Sequence, residues 1–284
     1  MKKKHPAIIP LMLGMALIIL IAGQSKAGAH DLPNVIKFGV YPYESPRSAY
    51  TLYAPVAKRI EEKTGHKVEL VSAPDHESFM EKAVQGDYDL ALVCVNCLFT
   101  VQPAGYQVIA RGEPSFYGAT IVRSDSDINA PGQLRGKKIA AIGKHSYAGY
   151  LYLRDELSGL GISPDKEVQF NFLNKVDSII LSVINKQYDA GVIRLDTLAK
   201  PNFAAVRNKV RIISNSPETP QFPFVVKNNM AQNTRQQIRE VLTSLTPGNA
   251  EDQDVLQSLQ IERIVPATDS DYVTIRQVIE KIKK

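Results

Sequence analysis

The only two cysteines stand three residues apart, in Cys94-Val95-Asn96-Cys97, a spacing that admits three chemistries. A disulfide can close across two intervening residues and would stiffen a turn. Two free thiolates would instead suit a soft centre, either a thiophilic metal ion or an arsenite-like oxyanion. At a strand-to-helix junction the same motif also serves dithiol redox chemistry, because a helix start lowers one thiol's pKa. Cysteines that are simply buried are the remaining alternative. No His adjoins the pair to make a zinc site, and Leu98 stands where a haem-attachment motif needs His.

A second constellation is Lys144-His145-Ser146-Tyr147-Ala148-Gly149, placed between a predicted strand and a long amphipathic helix. A helix start offers unpaired N–H groups and the positive end of the macrodipole, which together stabilise an anion. Ser146 is the predicted N-cap and could also turn its hydroxyl to a ligand; an ordinary capped helix is the plainer alternative. Lys144 and His145 either add positive charge or form a solvated loop. Tyr41, Tyr43 and Tyr117 fall at predicted strand ends, where each ring gives contact area and its hydroxyl one hydrogen bond, unless they only pack the surface. Arg194 and Asp196 follow another strand; they could meet a ligand's anionic and amine groups, or pair with each other.

Catalysis needs more than these residues. The chain has no H-E-x-x-H, G-x-S-x-G or P-loop, and its five His are scattered at positions 5, 30, 66, 76 and 145. His76, beside Asp75 and Glu77, opens a predicted helix and reads as part of its cap. The chain is therefore expected not to be an enzyme and to carry no cofactor.

The elements that must position these groups alternate between β-rich and amphipathic segments. Strands are predicted at 35–40, 67–72, 88–93, 106–110, 119–123, 138–142, 168–172, 188–193, 210–214 and 222–227. Helices are predicted at 49–64, 77–85, 146–160, 176–185, 233–245 and 272–282, with Gly65 closing the first. The segment 88–93 is apolar on both faces, as buried parallel strands are. The turn-rich stretch 124–132 reads as a connection between two α/β lobes. Lobe 1 is expected over 30–122 plus 215–284, and lobe 2 over 123–214. In open α/β sheets ligands sit beyond the carboxyl ends of the strands, so the loops after Val40, Val93 and Ile142 should border a cleft between the lobes.

The N-terminus sets the compartment. Lys2, Lys3 and Lys4 precede an apolar run from Ala7 to Gly23, and the small residues Ala27-Gly28-Ala29 follow. This pattern predicts a signal peptide over 1–29, cut before His30, with an uncleaved membrane anchor as the alternative. The mature protein is then expected in the periplasm. The chain has 34 Lys+Arg and 29 Asp+Glu, and residues 1–29 hold four lysines and no acid, so 30 basic and 29 acidic side chains remain. A net charge of +1 gives no excess positive surface for a nucleic-acid backbone.

Several short segments, in this order and spacing, make the chain resemble the substrate-binding proteins of phosphate, phosphite and phosphonate ABC transporters. They are Phe38-Gly39-Val40-Tyr41-Pro42, Tyr53-Ala54-Pro55 with Thr64-Gly65, and Gly86-Asp87-Tyr88-Asp89-Leu90-Ala91. Tyr117-Gly118, Ile121-Val122-Arg123, Leu134-Arg135-Gly136-Lys137-Lys138 and Ser146 to Gly149 continue the series, which Tyr188-Asp189-Ala190 and Asp271-Tyr272 complete. The resemblance implies an α/β, two-lobed type II periplasmic-binding fold whose cleft holds a small-molecule or oxyanion ligand by hydroxyls and backbone amides. It also implies a monomer that serves a membrane ABC permease. The predicted ligand residues are Tyr41, Tyr43, Cys94, Asn96, Cys97, Tyr117, His145, Ser146, Tyr147, Ala148, Gly149 and Asp196. Two departures bear on the ligand: Tyr147 and Ala148 stand where oxyanion-binding members have small hydroxyl residues, and the Cys94/Cys97 motif replaces a Gly-Pro-containing turn. Look-alikes in the superfamily bind arsenite through cysteine in this region for a sensor kinase, so the resemblance admits that role as an alternative.

Overall fold

The computed structural model of the chain describes residues 1, 35–42 and 45–282. Residues 2–29 of the expected signal peptide, and Tyr43, lie outside the described residues. The first α/β unit runs β1 (Val35–Val40), α1 (Pro46–Thr64), β2 (Lys67–Val71), α2 (His76–Gln85), β3 (Leu90–Leu92), α3 (Leu98–Val101) and β4 (Tyr106–Glu113). The second runs β5 (Gly118–Arg123), β6 (Lys138–Ala141), α4 (Tyr152–Gly159), β7 (Gln169–Phe172), α5 (Val176–Ile184), β8 (Ala190–Arg194) and β9 (Val210–Asn215). The chain ends with β10 (Pro223–Lys227), α6 (Gln232–Thr243), α7 (Ala250–Leu259), β11 (Arg263–Pro266) and α8 (Val273–Ile282).

Local chemistry explains the element ends. Pro46 sits in the first turn of α1, where its missing N–H costs nothing, and Ser45 Oγ accepts the Ser48 N–H at 3.2 Å. Gly65 ends that helix at φ 73°, its N–H donating to Glu61 O at 2.8 Å. Asp75 caps α2 by accepting the Ser78 N–H at 2.8 Å.

Two sheets result, with strand orders β11-β4-β10-β3-β1-β2 and β7-β6-β8-β5-β9. The buried strand β3 is parallel to β1 on one side and antiparallel to β10 on the other, so full burial marked a mixed sheet rather than a parallel one. Strand β5 belongs to the second sheet, between β8 and β9, although the second lobe was expected to begin only at residue 123. Gly118 shows why β5 sits there: a Cβ on it would lie 2.5 Å from the Tyr152 ring and 2.7 Å from Ala148 O, so the strand packs against the start of α4. Sequence reasoning missed α7 and β11. The polar run of α7 (AEDQDVLQSL) hides a buried stripe of Val255, Leu256 and Leu259, and its Asp252, 1% exposed, pairs with Arg59 of α1.

Two segments join the sheets, 114–117 and 216–222, and they are bonded to each other. Phe116 and Thr219 exchange N–H···O bonds of 2.9 Å in both directions, Gly118 N–H donates to Ser216 Oγ at 2.8 Å, and Gln221 Nε2 donates to Pro114 O at 2.8 Å. Tyr272, fully buried, donates to Gln221 O at 2.6 Å. From there α8 leaves the first sheet and packs Ile275, Val278 and Ile279 into the same apolar cluster as Leu153 and Leu157 of α4.

Candidate functional site

Between the sheets lies a cleft of about 660 Å³ whose lining comes mainly from strand ends. Tyr41 and Pro42 follow β1; Cys94, Val95 and Asn96 follow β3; Ile142 to Gly149, except Lys144, follow β6. Asn174 follows β7, and Arg194, Thr197 and Lys200 end or follow β8. Phe116 and Phe222 contribute from the two crossing segments. This is the carboxyl-end placement expected of open α/β sheets.

The Ser146 turn is built by close approach. Ser146 has extended φ/ψ (−81°, 116°), and its Oγ accepts the Gly149 N–H at 3.0 Å. Ile142 N–H donates to Gly149 O at 3.3 Å, drawing the turn onto the end of β6. Only glycine allows this, since a Cβ on residue 149 would lie 2.2 Å from Ile142 Cγ2. An α-helix was predicted from residue 146, but Tyr147–Leu151 form a π turn, with Leu151 N–H donating to Ser146 O at 3.0 Å, before α4 begins. With the Gly149 N–H satisfied by the cap, those of Tyr147 and Ala148 have no acceptor within their own helix. Tyr147 lines the cleft; its hydroxyl is buried without a hydrogen-bond partner among the described residues, and burial, with Asp155 adding, pushes its pKa up to about 12.

The two sheets meet through a pair of histidines. His76, at the start of α2, stacks on His145 at 4.0 Å between ring centroids and 17° between planes. Tyr41 Oη lies 2.7 Å from His76 Nδ1, and burial pushes the Tyr41 pKa up to about 12, so its hydroxyl keeps its proton. Burial and the facing His145 hold the His76 pKa down, with Glu77 and Asp75 opposing them. Sequence reasoning took His76 for part of a helix cap; Asp75 does the capping, and the imidazole turns to the cleft.

Other predicted residues are displaced. Cys94 and Cys97 are joined in a disulfide, and no free cysteine is present among the described residues. The paired-thiolate expectation for a soft metal or arsenite is corrected accordingly, since joined sulfurs offer no thiolate. Cys94 lines the cleft beside Asn96, whereas Cys97 is buried outside the lining. Tyr117 is 39% exposed and outside the lining. Asp196 is outside it too, engaged by Arg194 through Nε at 2.9 Å and Nη2 at 2.7 Å. Arg194 does line the cleft, its guanidinium 4.2 Å from the centroid of the Phe116 ring. The strand-end rule, carried on to β7 and β8, would have found Asn174, Thr197 and Lys200. Nothing in the sequence pointed to Ser258, Leu259 and Gln260 at the end of α7.

Two α/β sheets, crossed twice by the backbone and facing each other over a cleft lined by strand ends, define a type II periplasmic-binding fold. The chain belongs to the family of periplasmic phosphonate-binding proteins of ABC transporters, whose family model matches residues 38–272. Members of this family deliver a small-molecule ligand to an ABC permease. The chain is 26% identical over 274 residues to the phosphonates-binding periplasmic protein of Escherichia coli K12, covering 89% of this chain and 78% of the relative. It is 25% identical over 288 residues to the phosphate-import protein PhnD of Mycolicibacterium smegmatis, covering 89% and 87%. Its fold matches PhnD1 of Prochlorococcus marinus, solved with methylphosphonate, at a TM-score of 0.72 and 16% identity, covering 89% of this chain and all of the other.

Proposed function

We propose that this protein is exported through a cleaved signal peptide over residues 1–29 and captures a phosphonate or phosphate-like oxyanion in the periplasm. The lobes close on the ligand as a hinge at the paired segments 114–117 and 216–222 bends, and a monomer in the closed form delivers it to the permease without catalysing any reaction. One observation carries the reading: Tyr147 and Ala148, at a Ser146-capped helix start, line a cleft whose described lining holds the Lys200 ammonium, without an ion pair among the described residues, and no carboxylate. Such a site favours an anion by dipole, by donors and by net charge. Relatives of this chain named for phosphonate and phosphate support the same ligand chemistry. The disulfide disfavours the alternative of arsenite or soft-metal sensing.

The test is the melting temperature of the protein from His30 onward against phosphate, phosphite, methylphosphonate, 2-aminoethylphosphonate and arsenite. A ligand at a hundred times its Kd stabilises by about 2.7 kcal/mol, a readily measured shift. A response to a phosphorus compound supports the proposal; a response to arsenite alone would sink it.

A further inference from the structure

We infer that the preferred ligand is a phosphonate whose organic arm ends in a second anion, of the phosphonocarboxylate class. The inference rests on the phosphorus-oxyanion reading above and adds what the far side of the cleft recognises. The cleft, about 660 Å³, lies in the range of pockets that enclose drug-sized ligands and exceeds what a bare oxyanion fills.

Strand β8 pairs directly with β6, and the turn after β8 lines the same cleft as the Ser146 helix start. That turn carries two side-chain groups without partners among the described residues. Thr197 lines the cleft, is 4% exposed, and its hydroxyl makes no hydrogen bond among the described residues. Lys200 lines the cleft, and its ammonium makes no ion pair or hydrogen bond among them. Arg194 is different: Asp196 neutralises it and Phe116 covers one face, leaving it to shape the wall. An ammonium and a hydroxyl on one turn, neither engaged by the described residues, match a carboxylate, which accepts from both. The ammonium of an aminoalkyl phosphonate would meet Lys200 with no carboxylate in the described lining to offset the repulsion. Glu44, two residues beyond the lining Pro42, lies outside the described residues.

Calorimetric titration of the oxidised protein with 3-phosphonopropionate, methylphosphonate and 2-aminoethylphosphonate tests this, with Lys200→Ala and Lys200→Arg variants checked for wild-type melting. The wild type is expected to bind 3-phosphonopropionate about tenfold more tightly than either other compound. Lys200→Ala should weaken 3-phosphonopropionate about tenfold more than it weakens methylphosphonate, and Lys200→Arg should restore most of the loss. Equal or tighter binding of 2-aminoethylphosphonate, or an equal loss for both ligands in Lys200→Ala, overturns the inference and leaves the phosphorus-oxyanion reading standing. If none of the three compounds binds while phosphate or phosphite does, the inference is overturned and the phosphorus-oxyanion reading stands; if phosphate and phosphite fail as well, that reading fails and the inference falls with it.

Discussion

Ser146 does two things with one hydroxyl oxygen. It satisfies the Gly149 N–H and thereby fixes the turn whose Tyr147 and Ala148 line the cleft. Ser146→Ala should cost about 1 kcal/mol in chemical denaturation, the usual loss of an N-cap, and should weaken phosphonate binding measured by calorimetry. His76 makes a pH prediction. Its folded-state pKa lies below the ordinary 6.5, because burial and His145 disfavour the imidazolium more than Glu77 and Asp75 favour it. The unfolded chain therefore takes up the proton first, so stability is full above about pH 6.5 and declines as pH falls toward the folded pKa. Tyr41 stays neutral throughout this window. Thermal melts of the unliganded protein should show a shallower acid decline for His76→Gln than for the wild type, and equal slopes would refute this assignment.

At the scale of elements, the site depends on the contact between the end of β6 and the turn that opens α4. Gly149→Ala places a methyl 2.2 Å from Ile142 Cγ2 and 2.8 Å from Ser146 Oγ, so either the strand end moves or the cap breaks. Overpacking of this kind costs about 1–3 kcal/mol, and denaturation of the variant should show that loss together with weakened ligand binding. A variant with wild-type stability would mean that the turn is not held this tightly. The elements legible in the sequence were those with strong local signals. The Val35–Val40 strand, the α1 helix ending at Gly65 and the Val210–Asn215 strand all follow from periodicity and end residues. Helix α7 was not legible, because its apolar stripe is short and the buried Asp252 reads as surface until Arg59 is brought beside it.

For the whole molecule, the two crossing segments are bonded to each other at Phe116 and Thr219, so rotation of one lobe on the other must bend both together. Helix α8 adds a third link by packing on α4 across the gap, where Lys281 approaches Asp155 at 3.9 Å. Small-angle scattering should show a smaller radius of gyration when the protein is saturated with a phosphonate that raises its melting temperature. An unchanged radius would exclude closure as the response to ligand.

From its own order of residues the chain declared an α/β architecture with two units, the Ser146 cap and the family likeness, since each is carried by short local segments. The tertiary structure decided which strand ends share the cleft. It stacked His76 on His145 over 69 residues of sequence, tied Asp196 to Arg194, placed β5 in the second sheet and left Thr197 and Lys200 lining the cleft without side-chain partners among the described residues. It also joined the sulfurs of Cys94 and Cys97, one of several states their spacing allowed. The physical reason is that strand pairing and lobe apposition are long-range. They bring together side chains whose separation along the chain carries no trace of their separation in space.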